Sequence, residues 1–243
     1  IFNYKLIMEI YWNSIYTAIQ LIFTLDKKLI EILALSFKVT FIALLISSIL
    51  GLPLGTFLAI QKFKGRAFIV GIINSLMALP PVVVGLFVYI NLSRSGPLGW
   101  LGILYTPTAM IIAQIILIFP IIAGLTNQVI EDLHENYKDL FLSLVTPQFH
   151  TIKAYLIDAR YSLITVILAG LAKGISEVGA VIIVGGNIDH LTRVMTSTIT
   201  METSKGELSL AMALGLILLI MSVIINLIVT YKKYNFKAKY YEK

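Results

Sequence analysis

Apolar residues run in five long blocks along the chain, at 39–60, 67–92, 108–126, 162–184 and 208–231. Each approaches or exceeds the roughly 20 residues that a helix needs to cross a bilayer core. A helix is the spanning form such blocks allow, because an open strand edge leaves its backbone unpaired in lipid. The polar stretches between blocks are short, with two exceptions: the N-terminal segment and 127–161. Segment 6–23 is apolar but interrupted by Glu9, Asn13 and Gln20, which share one helical face with Thr17 beside them. Tyr11, Trp12 and Tyr16 supply rings suited to the headgroup region. The pattern predicts a helix lying in the interface, with a sixth, less hydrophobic span as the alternative. It does not read as a signal peptide, since it lacks a basic start and a small-residue cleavage site. The missing initiator Met points to a fragment or a processed chain.

Composition turns this pattern into a class. Of 243 residues, 58% are hydrophobic and 13% charged, against roughly a quarter charged in a soluble domain. Lipid is therefore the solvent for much of the surface, and one integral membrane domain fills the length. No room is left for a full nucleotide-binding or catalytic domain. Zero cysteines exclude disulfides, iron–sulfur clusters and thiolate metal sites. The net charge of +6 reads as a basic rim around the spans and not as a nucleic-acid surface.

That rim sets an orientation. The link after the first block carries Lys62, Lys64 and Arg66, and the 127–161 link carries Lys138, Lys153 and Arg160. The tail adds Lys232, Lys233, Lys237, Lys239 and Lys243, whereas the opposite links hold only Arg94, Arg193 and Lys205. The positive-inside rule places the first set in the cytoplasm, with a cytoplasmic C-terminus in a multi-pass cell-membrane protein. Lys5, Lys27, Lys28 and Lys38 weaken the bias without reversing it.

Charges inside a span cost ~2.5–3.5 kcal/mol each on insertion scales, and the fourth block holds Lys173 and Glu177. Their i, i+4 spacing puts both on one face of a continuous helix, where they can pair. That pair reads either as a structural ion pair or as a polar pathway lining. Gly170, Gly174, Ser176, Gly179 and Ala180 around it form a close helix-packing surface. Gly185-Gly186-Asn187 then ends the helix. The hydroxyl-rich stretch 192–206 is expected as a short re-entrant or interfacial helix, or as a solvated loop. In the second block, next to Asn74 and Ser75, Pro80-Pro81 removes two backbone donors and predicts a kink or a break. The third block carries Gln114 and Pro120. Gln114 suits an interhelical hydrogen bond or a pathway contact. In the long link, Glu131, Asp132, Glu135 and Asp139 accompany a short amphipathic helix at 137–144, stopped by Thr146-Pro147. Its apolar residues pack on the spans or dock another chain. No phosphate loop is present, His134, His150 and His190 lack metal-ligand spacing, and no nucleophile–base arrangement occurs. The chain does not read as an enzyme, and no metal or cofactor is expected in it.

The run Asn74-Ser75-Leu76-Met77-Ala78-Leu79-Pro80-Pro81-Val82-Val83-Val84-Gly85-Leu86 resembles the second span of oxyanion-importing ABC transporter permeases. So do Ser93-Arg94-Ser95-Gly96-Pro97-Leu98-Gly99 and Tyr105-Thr106-Pro107-Thr108-Ala109-Met110. Ile175-Ser176-Glu177-Val178-Gly179-Ala180, running on to Gly185-Gly186-Asn187-Ile188, is the strongest match. With Thr192-Arg193-Val194-Met195 and Glu202-Thr203-Ser204-Lys205-Gly206, it is more similar to the tungstate-type permeases than to molybdate or sulfate ones. The resemblance covers most of 36–227. It implies an all-α polytopic fold of type I ABC importer permease architecture, with five transmembrane helices and the N-terminal interfacial helix. The divisions are 1–32 for that helix and its lead-in, 33–231 for the transmembrane domain, and 232–243 for a basic tail.

The resemblance further implies a second copy of the chain, two ATP-binding cassette subunits that carry ATP and Mg, and an extracytoplasmic tungstate-binding protein. Pathway or gate candidates are Ser75, Pro80, Pro81, Gln114, Lys173, Ser176, Glu177 and Asn187. The coupling region spans about 128–160. Asp139-Leu140-Phe141 stands where the family has Glu-Ala-Ala, and Val145 replaces a later Gly, so Asp139, Leu140, Phe141, Leu144 and Val145 are the coupling candidates. Lys173 stands where Arg is frequent, which keeps the charge and loses the bidentate geometry. Competing expectations are a molybdate or sulfate permease, a self-sufficient channel or ion-coupled carrier using Lys173 and Glu177, and a structural membrane scaffold.

Overall fold

A computed structural model of the chain describes residues 4–24, 27–143 and 147–241. Every regular element among them is helical. Apart from a 3-10 turn at Gly99–Leu101, they are in order α1 (Tyr4–Phe23), α2 (Lys27–Ile60), α3 (Arg66–Met77), α4 (Pro81–Leu92) and α5 (Pro107–Ser143). There follow α6 (Gln148–Asp158), α7 (Arg160–Ser176), α8 (Gly179–Gly185), α9 (Met195–Lys205) and α10 (Leu208–Tyr241). Helices α2, α5 and α10 are each long and apolar enough to cross a membrane, and the bent pairs α3–α4 (99°) and α6–α7 (81°) raise the number to as many as five if each pair is one span. The all-α polytopic expectation holds.

Several boundaries differ from the hydropathy blocks. Helix α2 begins at Lys27, well before the block at 39. Lys27, Lys28, Glu31 and Lys38 lower the local hydropathy, yet Leu29, Ile32 and Leu33 keep the helical period and join a buried cluster. The amphipathic helix expected at 137–144 is no separate element, since residues 137–143 are the last turns of α5. Leu144, Val145 and Thr146 lie outside the described residues. The second block is broken as the prolines require. Helix α3 stops at Met77, and Pro81 opens α4, where its missing N–H is no loss.

Two compact units make up the chain. The first comprises Ile1–Thr40, Pro81–Ala113 and Ile175–Leu227. Ala18, Leu29, Met195, Ala213, Leu214 and Ile217 form one of its apolar clusters, which holds the small-residue edge of α1 against α2, α9 and α10. The polar residues Glu9, Asn13 and Gln20 of α1 stay exposed. Elsewhere in this unit α4 meets α8 almost backbone to backbone. A Cβ at Gly85 would lie 2.8 Å from the Ala180 Cα.

The second unit comprises Phe41–Pro80, Gln114–Gly174 and Ile228–Lys243. Its seam is Gly51-Leu52-Pro53-Leu54-Gly55 on α2, a small-xxx-small pattern that lets two helices approach closely. Gly51 faces Ile122, and Gly55 faces Ala123, Thr126 and Asn127 of α5. Both sides advance along the chain together, so α2 and α5 run parallel, as two crossings in one direction do. Gly170 of α7 sits against Leu44, Ile118 and Ile122 at the same seam. Without a hydrophobic driving force between helices in lipid, this close fit is what holds the three together.

Candidate functional site

The helix expected at 162–184 is interrupted in its middle. Helix α7 ends at Ser176 and α8 begins at Gly179, leaving Glu177 and Val178 outside both. Lys173 lies in the last turn of α7 and Glu177 in the break just beyond it, so one continuous helix does not carry both. The physical reason lies in what the break finds as partners. The Glu177 carboxylate accepts a hydrogen bond from the Ala180 amide at 3.0 Å, capping α8. The Glu177 carbonyl, which α7 no longer uses, accepts from the Thr196 hydroxyl of α9 at 2.9 Å. Gly179 lets Val82 of α4 approach, since a Cβ at that position would lie 2.8 Å from the valine Cγ2. Glu177 is 4% exposed, so the two bonds partner the Ala180 amide and the Glu177 carbonyl at a site largely closed to solvent.

Beyond α8 a second set of side chains fixes the turn. Gly186 (φ 70°) and Asn187 (φ 50°) both adopt the left-handed conformation. Thr192 accepts from the Ile188 amide at 2.9 Å and donates to the Gly185 carbonyl at 2.5 Å. Asn187 Oδ1 accepts from the Ser197 hydroxyl at 2.9 Å, and the Met195 amide donates to Ser36 Oγ of α2 at 2.9 Å. The hydroxyl-rich stretch is thus ordered as helix α9, not as a solvated loop. Tyr105 is held in the left-handed region (φ 60°), with its amide on the Val184 carbonyl at 3.0 Å. Its phenol is held above the usual range by a hydrogen bond with Tyr89 and by burial.

In the second unit, Gln114 is 3% exposed, and its Nε2 donates to the Gly174 carbonyl of α7 at 3.2 Å. Its Oε1 is buried with no hydrogen-bond partner among the described residues. Ser47, Thr126 and Asn127 Oδ1, also on α2 and α5, share that condition. A buried acceptor left unpaired costs about 1–3 kcal/mol, so this seam carries polar capacity that the helices alone do not use.

Arg66 closes the far end of the same seam. Its Nε donates to the Leu58 carbonyl at 2.6 Å and its Nη2 to Glu131 Oε1 at 2.8 Å. Asn127 Nδ2 reaches Glu131 Oε2 at 3.4 Å. One guanidinium thereby ties the end of α2, the start of α3 and the middle of α5. Further along, Tyr155 of α6 shares a hydrogen bond with His134 at 2.8 Å. The two rings meet edge to face, their centroids 5.7 Å apart, which fixes α6 against the later turns of α5.

The sequence candidates separate accordingly. Ser176, Glu177, Asn187 and Pro81 belong to the first unit, around the α7–α8 break and the start of α4. Gln114 and Lys173 belong to the second, where Gln114 bonds the residue after Lys173. Ser75 is exposed, and its hydroxyl returns to the Gly71 carbonyl of its own helix at 2.8 Å. Pro80 is exposed in the α3–α4 break. Of the coupling candidates, Asp139 is exposed and Leu140 and Phe141 lie in α5, while Leu144 and Val145 fall outside the described residues. The sequence reading missed Thr196 as the partner of Glu177 and Arg66 as a brace. Arg66 was visible only as one more basic residue, because Glu131 lies 65 positions away.

Comparison with known proteins adds a family. Residues 51–233 match the binding-protein-dependent transport system inner membrane component family. A tungstate uptake system permease protein of Peptoclostridium acidaminophilum is 38% identical over 222 residues, 91% of this chain and 97% of that protein. A probable anion ABC transporter permease protein of Haloferax volcanii is 36% identical over 82% of this chain and 88% of its own. A Campylobacter jejuni tungstate uptake system permease protein is 31% identical over 92% and 94%, respectively. Sulfate and molybdenum transport permeases match at 23–27% identity.

Proposed function

Because the chain belongs to the binding-protein-dependent transport system inner membrane component family, we propose that it is the membrane-spanning subunit of an ATP-driven tungstate importer. The observation that carries the substrate is the near full-length match to tungstate permeases, which exceeds the match to sulfate and molybdenum ones. Two copies of the chain, two ATP-binding cassette subunits and an extracytoplasmic tungstate-binding protein form the working assembly. ATP and Mg bind on the cassette subunits, so this chain carries no catalytic residue. The C-terminus is cytoplasmic, as the distribution of Lys and Arg supports.

Passage works by alternating access. A tetrahedral dianion needs donors along its way, yet each contact must be weak enough to release it. The α7–α8 break and the hydroxyls of α9 suit that demand, since backbone broken at membrane depth is tolerated where it borders protein or an aqueous cavity. Pro81, Ser176, Glu177 and Asn187 are the pathway residues of the first unit, and Ser75, Pro80, Gln114 and Lys173 those of the second. The end of α5, with Asp139, Leu140 and Phe141, leads into Leu144 and Val145, and this stretch takes the push of the cassette subunit. Arg66 braces α5 against α2 and α3 immediately before it, so movement at that end is passed to the whole seam.

Uptake into cells whose own tungstate permease is deleted tests the substrate. The chain, supplied with its cassette subunit and binding protein, is expected to restore tungstate accumulation. A hundredfold excess of sulfate should leave that accumulation unchanged. Equal competition by sulfate would reassign the substrate to the wider oxyanion class.

A further inference from the structure

Two adjoining cavities, of about 330 Å³ and about 280 Å³, open in the first unit between the start of α2, the 186–194 turn, α9 and the start of α10. They share Lys28, Ile32, Asp189 and Arg193. Lys205 lines one and Lys38 the other. On the orientation proposed above, this is the outward side, where basic residues are depleted. Four of the cations that run against that rule therefore converge on one place.

Two of these four charges, on Lys28 and Lys38, are not used up locally. Each carboxylate of the lining is already engaged: Glu31 with His190 at 2.7 Å, Asp189 with Arg193 at 2.9 Å and Glu202 with Lys205 at 2.9 Å. Lys28 and Lys38 make no ion pair with the described residues. Arg193 Nε is buried and has no hydrogen-bond partner among the described residues, although its Nη1 is bound. Spare donors thus surround a space whose other wall is apolar, built from Leu29, Ile32, Met201, Leu210 and Leu214. Leu29 and Leu214 belong to the cluster that docks α1.

We propose that these cavities seat an anionic phospholipid, its phosphate head on Lys28, Lys38 and Arg193 and its acyl chains along the Leu29–Leu214 wall. A free oxyanion has the same head chemistry, but the apolar wall offers it nothing. Charge-assisted hydrogen bonds to an Arg and flexible Lys heads are the usual recognition of such a phosphate. The bound lipid closes the gap between the α2 lead-in and α9, the helix whose Thr196 holds the Glu177 carbonyl. The inference goes beyond the transport reading and depends on it only for the leaflet.

Native mass spectrometry of the full complex, reconstituted with phosphatidylglycerol or phosphatidylcholine, tests it. Phosphatidylglycerol should remain bound, and phosphatidylcholine should not. Each cation near a membrane surface contributes about 1 kcal/mol to anionic-lipid attraction, about fivefold. Lys28→Gln should therefore lower retention about fivefold, and Lys28→Gln with Lys38→Gln about thirtyfold. Both side chains are exposed, so these changes leave the fold intact. The same charge loss at exposed Lys62 and Lys64 should change nothing. Equal retention in every variant, or equal retention of both lipids, would overturn the proposal. Displacement of the lipid by millimolar inorganic phosphate or tungstate would overturn it in favour of a free-oxyanion site.

Discussion

Replacing Gly55 by alanine puts a methyl group where α2 lies flush on α5. The added Cβ would overlap the Ala123 carbonyl oxygen and stand 2.7 Å from the Thr126 Cβ and 3.0 Å from the Asn127 amide. Two of these three atoms are backbone, so no rotamer change relieves the overlap and α2 must move away. Overpacking of this kind costs about 1–3 kcal/mol. Against it stands a gain of up to about 1 kcal/mol from replacing a helical glycine. The net is a loss of about 1–2 kcal/mol, taken from a seam that has little but close packing to hold it. Gly71 of α3 is the internal control, because a Cβ there meets nothing within 4 Å. Gly71→Ala should be neutral or slightly stabilising, so the two variants should differ by about 1–3 kcal/mol. Thermal unfolding of the detergent-solubilised protein, followed by circular dichroism, reads the difference. Gly55→Ala matching Gly71→Ala would refute the packing account of the second unit.

Three further outcomes follow from the geometry. Thr196→Val removes the donor to the Glu177 carbonyl and should cost about 1–3 kcal/mol. Thr196→Ser keeps it, so uptake should fall in the first variant and recover in the second. Arg66→Lys retains the charge but cannot reach Leu58 and Glu131 together. ATP hydrolysis by the reconstituted complex should then continue while transport per ATP drops, and an unchanged ratio would separate the brace from coupling. Phe141→Asp should release the cassette subunit in a pull-down while the chain still inserts, and retained binding would move the docking surface elsewhere.

Much of this was legible in the chain because membrane solvent simplifies it. Hydropathy alone located the long apolar helices α2, α5 and α10 and the bent pair α3–α4, and Pro80-Pro81 foretold the α3–α4 break because a proline carries its effect in its own ring. Glu177 was harder. Its spacing from Lys173 argues for a continuous helix, and only Thr196, nineteen positions on, supplies the acceptor's partner that makes a break tolerable. The same holds for Arg66 and Glu131, which no local pattern brings together. The lead-in of α2 was hidden for the opposite reason. Its lysines mask an apolar period that becomes visible once Leu29 is seen packed against Leu214. Coupling residues were the least legible in the chain, since Asp139 and Val145 depart from the family pattern that the resemblance supplies.

The central claim is that this chain passes tungstate only as the membrane part of an ATP-driven assembly. Proteoliposomes containing the chain and its cassette subunit, with binding protein and tungstate outside and ATP inside, test it directly by elemental analysis of the vesicle contents. Accumulation should require all three proteins and ATP, and should stop when any one is omitted. Tungstate entry through the chain alone, without ATP or cassette subunit, would contradict the account and make the protein a self-sufficient channel or carrier.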